Sequence, residues 1–394
     1  KYTNGANTGE PCIIVEVSSK ESASNLSNSD IIPPILSDGV TKTDVIPANR
    51  IYASGVCPTG TTYCSDHADI SSTIKGGISI GRSGLTGNGS TSHWTGTLGG
   101  IVRDKNTGDL MGLTNAHVTG VTYDESEGYD WGTDSSGRAE DACFKPESKA
   151  TNLTKEIYQP DSTDSGKVLY GTVKNTVPLR FNETGQTTNV NYVDASIINL
   201  SSAFDNNKVP NPILHDSLIM DQHLNTVPIF DFKKLSDGSL TEDNMCVKIG
   251  KTTGRTPMRP DGVYVEEVEG TIVDPDYLVN VSYCGGSAHD EYTASFIHTI
   301  KVKFKNFDSS STPNWTFSDD GDSGSICYIW NTSTEQWEVL GLIFAGESSS
   351  ENPFSIICRI DYVLKELNIG ENWTNDTSYA LNDGSTLANS IQSS

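Results

Sequence analysis

The sequence predicts a mainly β protein, a sandwich or barrel of many short strands, with a small α+β lead segment and a C-terminal helix. Three observations carry that expectation. From Gly76 onward, short β-branched runs recur between Gly, Asn and Asp turns, which is the rhythm of all-β folds. Of the 394 residues, 35% are hydrophobic and 20% charged, with Ser, Thr, Asn and Gly abundant, a mix that favours turns over helices. Near the end the pattern changes, because "SIICRIDYVLKELNI" spaces its apolar residues as a helix does.

Taken in order, residues 1–75 open with "PCIIVEVSS", a strand candidate, and pass through a Ser/Asn-rich run. "DIIPPILSDGVTKTDVIP" follows, where prolines and polar breaks interrupt regular structure. Beyond Gly76, the strand candidates are "GGISIGRSG", "TGTLGGIVRD", "LMGLTNAHV", "VDASIINL", "MCVKIGKTTG", "TIKVKFKNF", "SICYIW" and "WEVLGLIFAG". No internal repeat is evident, and the chain is too long for one typical domain.

Charge removes some functions. With 51 acidic against 27 basic residues the net charge is −24, so nucleic acid and anionic membrane are poor partners. No apolar run approaches the roughly 20 residues of a membrane span. The first residue is Lys1, so a leader peptide, processed away or simply not included, is not visible.

The eight cysteines form no zinc pattern, since no Cys-x-x-Cys and no nearby histidine pair accompany them. Cys57 and Cys64 bound "CPTGTTYC", which reads either as a disulfide-closed loop or as two buried thiols. Ten Asn-x-Ser/Thr sequons occur, about half of which this composition would produce by chance.

The stretch that points to chemistry is "SDDGDSGSICYIW", residues 318–330. It sets Ser323 in a Gly-rich turn directly before a buried run. A serine nucleophile needs a base within reach and backbone N–H groups aimed at the developing oxyanion, and glycines allow that aim. Among seven histidines, His117 stands apart, following a buried strand in "LMGLTNAHVTG". Taken alone, it reads as a satisfied structural histidine. A carboxylate must orient the base, and "NYVDASIINL" places Asp194 among apolar residues, where a carboxylate is costly unless paired. Asp205, Asp216 and Asp221 compete from loop-like contexts.

With these three motifs in the order His, Asp, Ser, the sequence resembles the trypsin/chymotrypsin-like serine proteases. "LTNAHV", "VDASI" and "GDSGS" resemble the family's three triad motifs, "WEVLGLIFAG" its pocket strand, and "CVKIGKTTGRT" the start of its second barrel. The likeness covers roughly residues 76–370 and leans toward bacterial and viral-type members. It implies a chymotrypsin-like double β-barrel, with the lead segment at 1–75, the first barrel at 76–235, and the second barrel, helix and tail at 236–394. The gaps from His117 to Asp194 and on to Ser323 are longer than in compact members, implying insertions around 121–190 and 203–245.

What the resemblance implies for the site is a triad of His117, Asp194 and Ser323, with the N–H groups of Gly321 and Ser323 as oxyanion hole. It implies a protein or peptide substrate, an acyl-enzyme, no cofactor, no metal and a monomer. No Ile-Val-Gly-Gly-type stretch precedes the barrels, which argues against activation by a freed α-amino group buried on Asp322. The segment 1–75 then stays attached, as a buttress to the oxyanion turn or a regulatory flap. A silent binding protein on this fold, another acyl transfer and a single self-cleavage remain the alternatives. By the family pattern the specificity pocket has Phe317 at its base, six residues before the serine, with Ser318 beside it. Ile343, Phe344, Ala345 and Gly346 form its wall. With no acid at the base, small or medium apolar residues are expected at the cleavage position rather than Lys or Arg.

In the family the strands carrying Cys246 and Cys327 are neighbours, and many secreted members bridge them. Here Cys327 is two residues closer to the serine than usual, a shift of roughly 7 Å along the strand. That is enough to break a bridge, since linked Cα atoms lie within about 7 Å. A secreted, extracellular glycoprotein is expected, with oxidised pairs and used sequons; eight free thiols would instead mark the alternative, an intracellular one.

Overall fold

The computed structural model describes residues 2–3, 6–7, 12–17, 21–27, 31–47, 51–53, 76–85, 91–103, 110–119, 130–132, 143–145, 156–159, 168–180, 190–200, 219–220, 226–227, 240, 245–255, 270–283, 293–304, 317–331, 336–347, 353–367 and 369. The chain divides into two compact units, Lys1–Arg50 and Ile51–Ser394. In the first, Ile13–Val17 runs parallel to Thr43–Pro47, and a short 3-10 turn covers Ala23–Asn25. Asp38 closes a tight corner, its Oδ1 accepting the N–H groups of Val40 and Thr41 at 2.9 Å each.

The second unit contains two rings of strands. In the first ring, Ser79–Leu85 pairs with Thr91–Thr97 on one side and Glu156–Gln159 on the other. Glu156–Gln159 pairs with Val168–Thr176, which pairs with Ser196–Leu200. Ser196–Leu200 pairs with Leu110–Thr114, and that strand with Gly100–Arg103. Thr91–Thr97 and Gly100–Arg103 are one run of chain bent at Leu98 and Gly99, where Leu98 N–H donates to Ile78 O and Gly99 N–H to Leu113 O. The last pairing therefore returns to the strand that began the ring, and a closed sheet leaves no edge to pair elsewhere.

The second ring closes directly. Met245–Gly250 pairs with Ile326–Asn331, then come Gln336–Glu347, Phe354–Arg359, Thr293–Phe304 and Gly270–Ser282, and the last pairs back to Met245–Gly250. Part of the expected lead segment joins this sheet. Ile51–Ala53 lies parallel to Val281–Ser282 and antiparallel to Ala345–Gly346, with Ala53 opposite Ala345 and Tyr52 opposite Gly346.

Burial explains why these runs are strands. Ile78, Ile80, Leu98, Tyr170 and Ile198 fill the first ring, each at most 2% exposed. Phe296, Ile300, Val302, Leu342 and Ile356 do the same in the second. Burying each such side chain contributes about 1.5–3 kcal/mol. The C-terminal segment differs from its sequence reading. Phe354–Arg359, read as the start of a helix, is a strand buried at every position, and only Ile360–Glu366 is helical. Ile360, Val363, Leu364 and Leu367 turn one stripe of that helix inward. No helix among the described residues is long and apolar enough to cross a membrane.

The Cys246–Cys327 bridge does not form; neither residue is in a disulfide and both are buried, as is Cys358. Register is the reason. Cys246 lies opposite Ile329, and Cys327 lies opposite Lys248, two residues along. Cys57 and Cys64 fall outside the described residues.

Candidate active site

The first ring's strand Leu110–Thr114 ends in Asn115 and a single helical turn, Ala116–Thr119, which carries His117. Asp194 lies just before Ser196–Leu200, the strand paired with Leu110–Thr114, so the ladder sets the two side by side. His117 Nδ1 is 2.6 Å from Asp194 Oδ2, and His117 N–H donates to Asp194 Oδ1 at 3.1 Å. An ionised carboxylate only accepts, so Nδ1 carries the hydrogen and Nε2 is left as the basic nitrogen.

Asp194 is 0% exposed, and its backbone is held as well as its side chain. Asn115 Nδ2 donates to Asp194 O at 2.6 Å, and Asp194 N–H donates to Cys358 Sγ at 3.2 Å. The Tyr283 hydroxyl donates to Asp194 Oδ2 at 2.8 Å. Burial first, then the Asp194 charge and this hydrogen bond, push the Tyr283 phenol well above its usual range, so it keeps its proton. Burial and the Asp194 charge raise the Cys358 thiol likewise, outweighing the backbone N–H that favours its thiolate. Neither sequence pattern nor spacing pointed to Tyr283 or Cys358 as partners of Asp194.

Ser323 sits in the turn between Phe317 and the strand Ile326–Asn331, in the second ring. The turn needs glycine at two places. Gly321 and Gly324 take φ of +95° and +94°, where a Cβ would lie 2.3 Å from Thr252 Oγ1 and 2.2 Å from Thr97 O respectively. Thr97 N–H donates to Ser323 O at 2.8 Å, Thr97 Oγ1 to Gly321 O at 2.8 Å, and Gly324 N–H to Ile343 O at 2.9 Å. The nucleophile turn is thereby tied to the first ring as well as to its own. Gly96 is the meeting point: a Cβ there would strike Val118 at 2.4 Å and Ser323 O at 3.0 Å. Val118 adjoins His117, so the turns bearing Ser323 and His117 pack on one glycine.

Asp322 is fully buried, and Lys248 Nζ lies 3.0 Å from its Oδ2 with both side chains at 0% exposure. Burial would raise this carboxyl, but the Lys248 charge and several hydrogen bonds outweigh it, leaving it below the usual carboxylate range. The sequence did carry a signal for Lys248. It alternates with Cys246 and Gly250 on a strand face that is buried at all three positions.

The residues assigned to the pocket are mostly interior. Phe317 is 1% exposed, its ring filling the space a Cβ on Gly270 would need, beside Cys246. Phe344 packs on Phe296 with centroids 4.7 Å apart. Ser318 Oγ is 2.5 Å from Ser355 Oγ, and Ser355 lies opposite Gly346, so Ser318 and the wall strand are joined through one residue. Ile343 and Ala345 are buried. A second His–carboxylate contact, His298 Nδ1 to Asp276 at 2.6 Å, is exposed on both sides, at 41% and 65%. Asp205, Asp216 and Asp221 fall outside the described residues.

No family profile matches the chain, and no curated protein does. Among solved structures it is similar to a chymotrypsin of Cellulomonas bogoriensis, at 12% identity and a TM-score of 0.33, covering 75% of this chain and 96% of that one. It is also similar to the Rv3671c protease in an inactive form, at 13% identity and a TM-score of 0.29, covering 79% and 97%. The same M. tuberculosis H37Rv protein as an inactive serine-to-alanine mutant gives 12% and 0.29, covering 79% and 96%. The strand pairings, two closed rings of six segments, define the architecture. The fold is a double β-barrel.

Proposed function

We propose that the chain is a serine endopeptidase acting through Ser323, with His117 as base and Asp194 as its orienting carboxylate. The observation that supports this most is the 2.6 Å contact between His117 Nδ1 and Asp194 Oδ2, buried beside the turn that carries Ser323. In the proposed sequence, Ser323 Oγ attacks the scissile carbonyl carbon as His117 Nε2 takes its proton. The N–H groups of Gly321 and Ser323 receive the oxyanion, where one such donor lowers the barrier by about 2.7–4 kcal/mol. Collapse breaks the C–N bond, and the amine leaves with the proton from His117. Water then attacks the acyl-enzyme by the same route. The substrate is a protein or peptide, with Ser318 and the strand Ile343 to Gly346 flanking its cleavage residue and Phe317 and Phe344 supporting them from the core.

Incubating a mixed peptide library with the wild type and with Ser323→Ala tests this: many cuts by the first and none by the second are expected. A second reading, one self-processing cut, draws support from Ile51–Ala53. That segment pairs with Ala345–Gly346, two residues beyond the Ile343 that bonds the nucleophile turn, and Ser323 is only 2% exposed. On either reading, Ile51–Ala53 occupies the edge of the wall strand that an extended peptide would pair with. A library left intact beside a chain cut once would favour self-processing.

A further inference from the structure

The segment that delivers Asp194 to the first ring is held by the second. Val190–Asn191 runs parallel to Ser295–Phe296. Asn191, 6% exposed, donates from Nδ2 to Ser295 O at 3.1 Å and to Arg180 O at 2.8 Å, and its Oδ1 accepts the Arg180 N–H at 2.8 Å. At the other end Asp194 N–H donates to Cys358 Sγ, and Cys358 lies opposite Thr299. Tyr192 stands between. Its ring stacks on His298, with centroids 6.1 Å and planes 12° apart, and on Tyr362, at 5.2 Å and 27°. His298 and Tyr362 stack on each other at 5.7 Å and 17°.

His298 keeps a backbone conformation that side chains seldom adopt. With φ at 57° it is the one non-glycine in the left-handed region among the described residues. A bulge is the cause: Phe296 faces Val279 and Thr299 faces Tyr277, so Ile297 and His298 together oppose Leu278. Glycine commonly takes the left-handed place in such a bulge. A larger residue persists there where its surroundings fix it, and such places cluster at functional sites. Asp276 Oδ1, on the opposite strand, lies 2.6 Å from His298 Nδ1. That pair is 41% and 65% exposed, so it adds little stability. What the imidazole supplies is a flat partner for Tyr192, two residues before Asp194.

We propose that His298 is a positioning residue for the triad: by stacking on Tyr192 it holds residues 190–193 against the second barrel, and so fixes the carboxylate that orients His117. This deepens the serine-endopeptidase reading above and rests on it. His298 touches neither substrate nor the reacting atoms; it acts through Tyr192 and Val193. The 2.6 Å contact between His117 Nδ1 and Asp194 Oδ2 thereby depends on a half-exposed ring of the other barrel. A remote change that misplaces a catalytic group by about 1 Å slows turnover on the order of 100-fold. Here Asp194 keeps its other partners, so the expected loss is smaller.

The test compares the full chain with His298→Gly and His298→Asn, both of which accept the left-handed backbone but carry no stacking ring. Each is expected to unfold at or above the wild-type urea midpoint. Each should lose about tenfold in kcat and in fluorophosphonate labelling, with KM within about threefold. Tyr192→Ala should lose as much, and Tyr192→Phe, which keeps the ring, should recover most of that loss. Combining His298→Gly with Tyr192→Ala should be no slower than the slower single variant, because both remove one contact. A proton spectrum gives a readout independent of turnover: the downfield resonance of His117 Nδ1–H should move upfield in both His298 variants as its contact with Asp194 loosens. Labelling at the wild-type rate, an unmoved resonance, or losses that multiply in the double variant would each overturn the proposal while leaving the protease reading in place. A folded wild type that takes up no probe would overturn the protease reading, and the resonance alone then decides whether His298 positions Asp194.

Discussion

Asp194 Oδ2 receives two hydrogens, one from His117 Nδ1 at 2.6 Å and one from the Tyr283 hydroxyl at 2.8 Å. The two donors come from different barrels, so the carboxylate is a joint between them. Tyr283 also meets the His117 ring edge-on, with centroids 6.0 Å apart. Tyr283→Phe removes one donor and leaves the ring. A hydrogen bond to a buried charged group contributes about 1.5–3 kcal/mol, and stability is expected to fall by that order. Turnover should fall on the order of tenfold with KM unchanged, because the imidazole is less firmly held. Unfolding midpoints and steady-state kinetics on the variant check both; an unchanged kcat would remove Tyr283 from the site.

Acid should act on Asp322. Its carboxyl in the folded chain lies below the ordinary value near 3.8, so folding is favoured by its ionised form. That contribution is fully present above the unfolded value, about 4, and is lost as pH falls through the lower folded one. Asp322→Asn should therefore be less stable at neutral pH by about 3–5 kcal/mol, since Lys248 is left buried without its partner. Its stability should also fall less steeply than the wild type below about pH 4. Urea midpoints across pH 2–6 decide it, and parallel curves would contradict it.

The thiols provide a third expectation. Cys246, Cys327 and Cys358 are in no disulfide and are 0% exposed. Each should resist alkylation in the native chain and react fully in denaturant without reductant. A Cys246–Cys327 disulfide peptide in mass mapping would contradict the register. The secretion expected from the sequence now rests on the sequons and on Cys57 and Cys64.

Much of the fold was legible because burial and period coincide. "MCVKIG", "SICYIW" and "WEVLGLIFAG" became strands where they were read. Gly270–Ser282, at 13 residues the longest strand, was missed. Its centre reads Asp274, Pro275, Asp276, which is turn chemistry, and Pro cannot donate to a ladder. The strand absorbs it through three register shifts against Thr293–Phe304, at Ile272/Asp274, Asp274/Tyr277 and Tyr277/Val279. Glu156–Gln159 and Val168–Thr176 were also missed, lying inside what read as an insertion. At the site, His117 and Asp194 were legible as polar residues in apolar company. Tyr283 and Thr253 were not, because their roles come from contacts 89 and 69 residues away in sequence.

The edge held by Tyr52 and Ala53 gives a fourth expectation. An extended peptide added to that edge would compete with Ile51–Ala53 for Ala345 and Gly346. Deleting residues 1–53 should raise kcat/KM on long peptides by at least tenfold and change cleavage of a dipeptide ester by less than threefold. Equal effects on both substrates would contradict that competition.

The identity of the nucleophile is tested most directly by mass spectrometry of probe-treated chain. Wild type exposed to a fluorophosphonate should carry one adduct, on the peptide containing Ser323, and lose its peptidase activity in step with labelling. Ser323→Ala should carry none and cut nothing, while holding the wild-type unfolding midpoint to within about 1 kcal/mol. An alanine variant that still labels at the full rate, or a wild type modified only elsewhere, would contradict the assignment of Ser323.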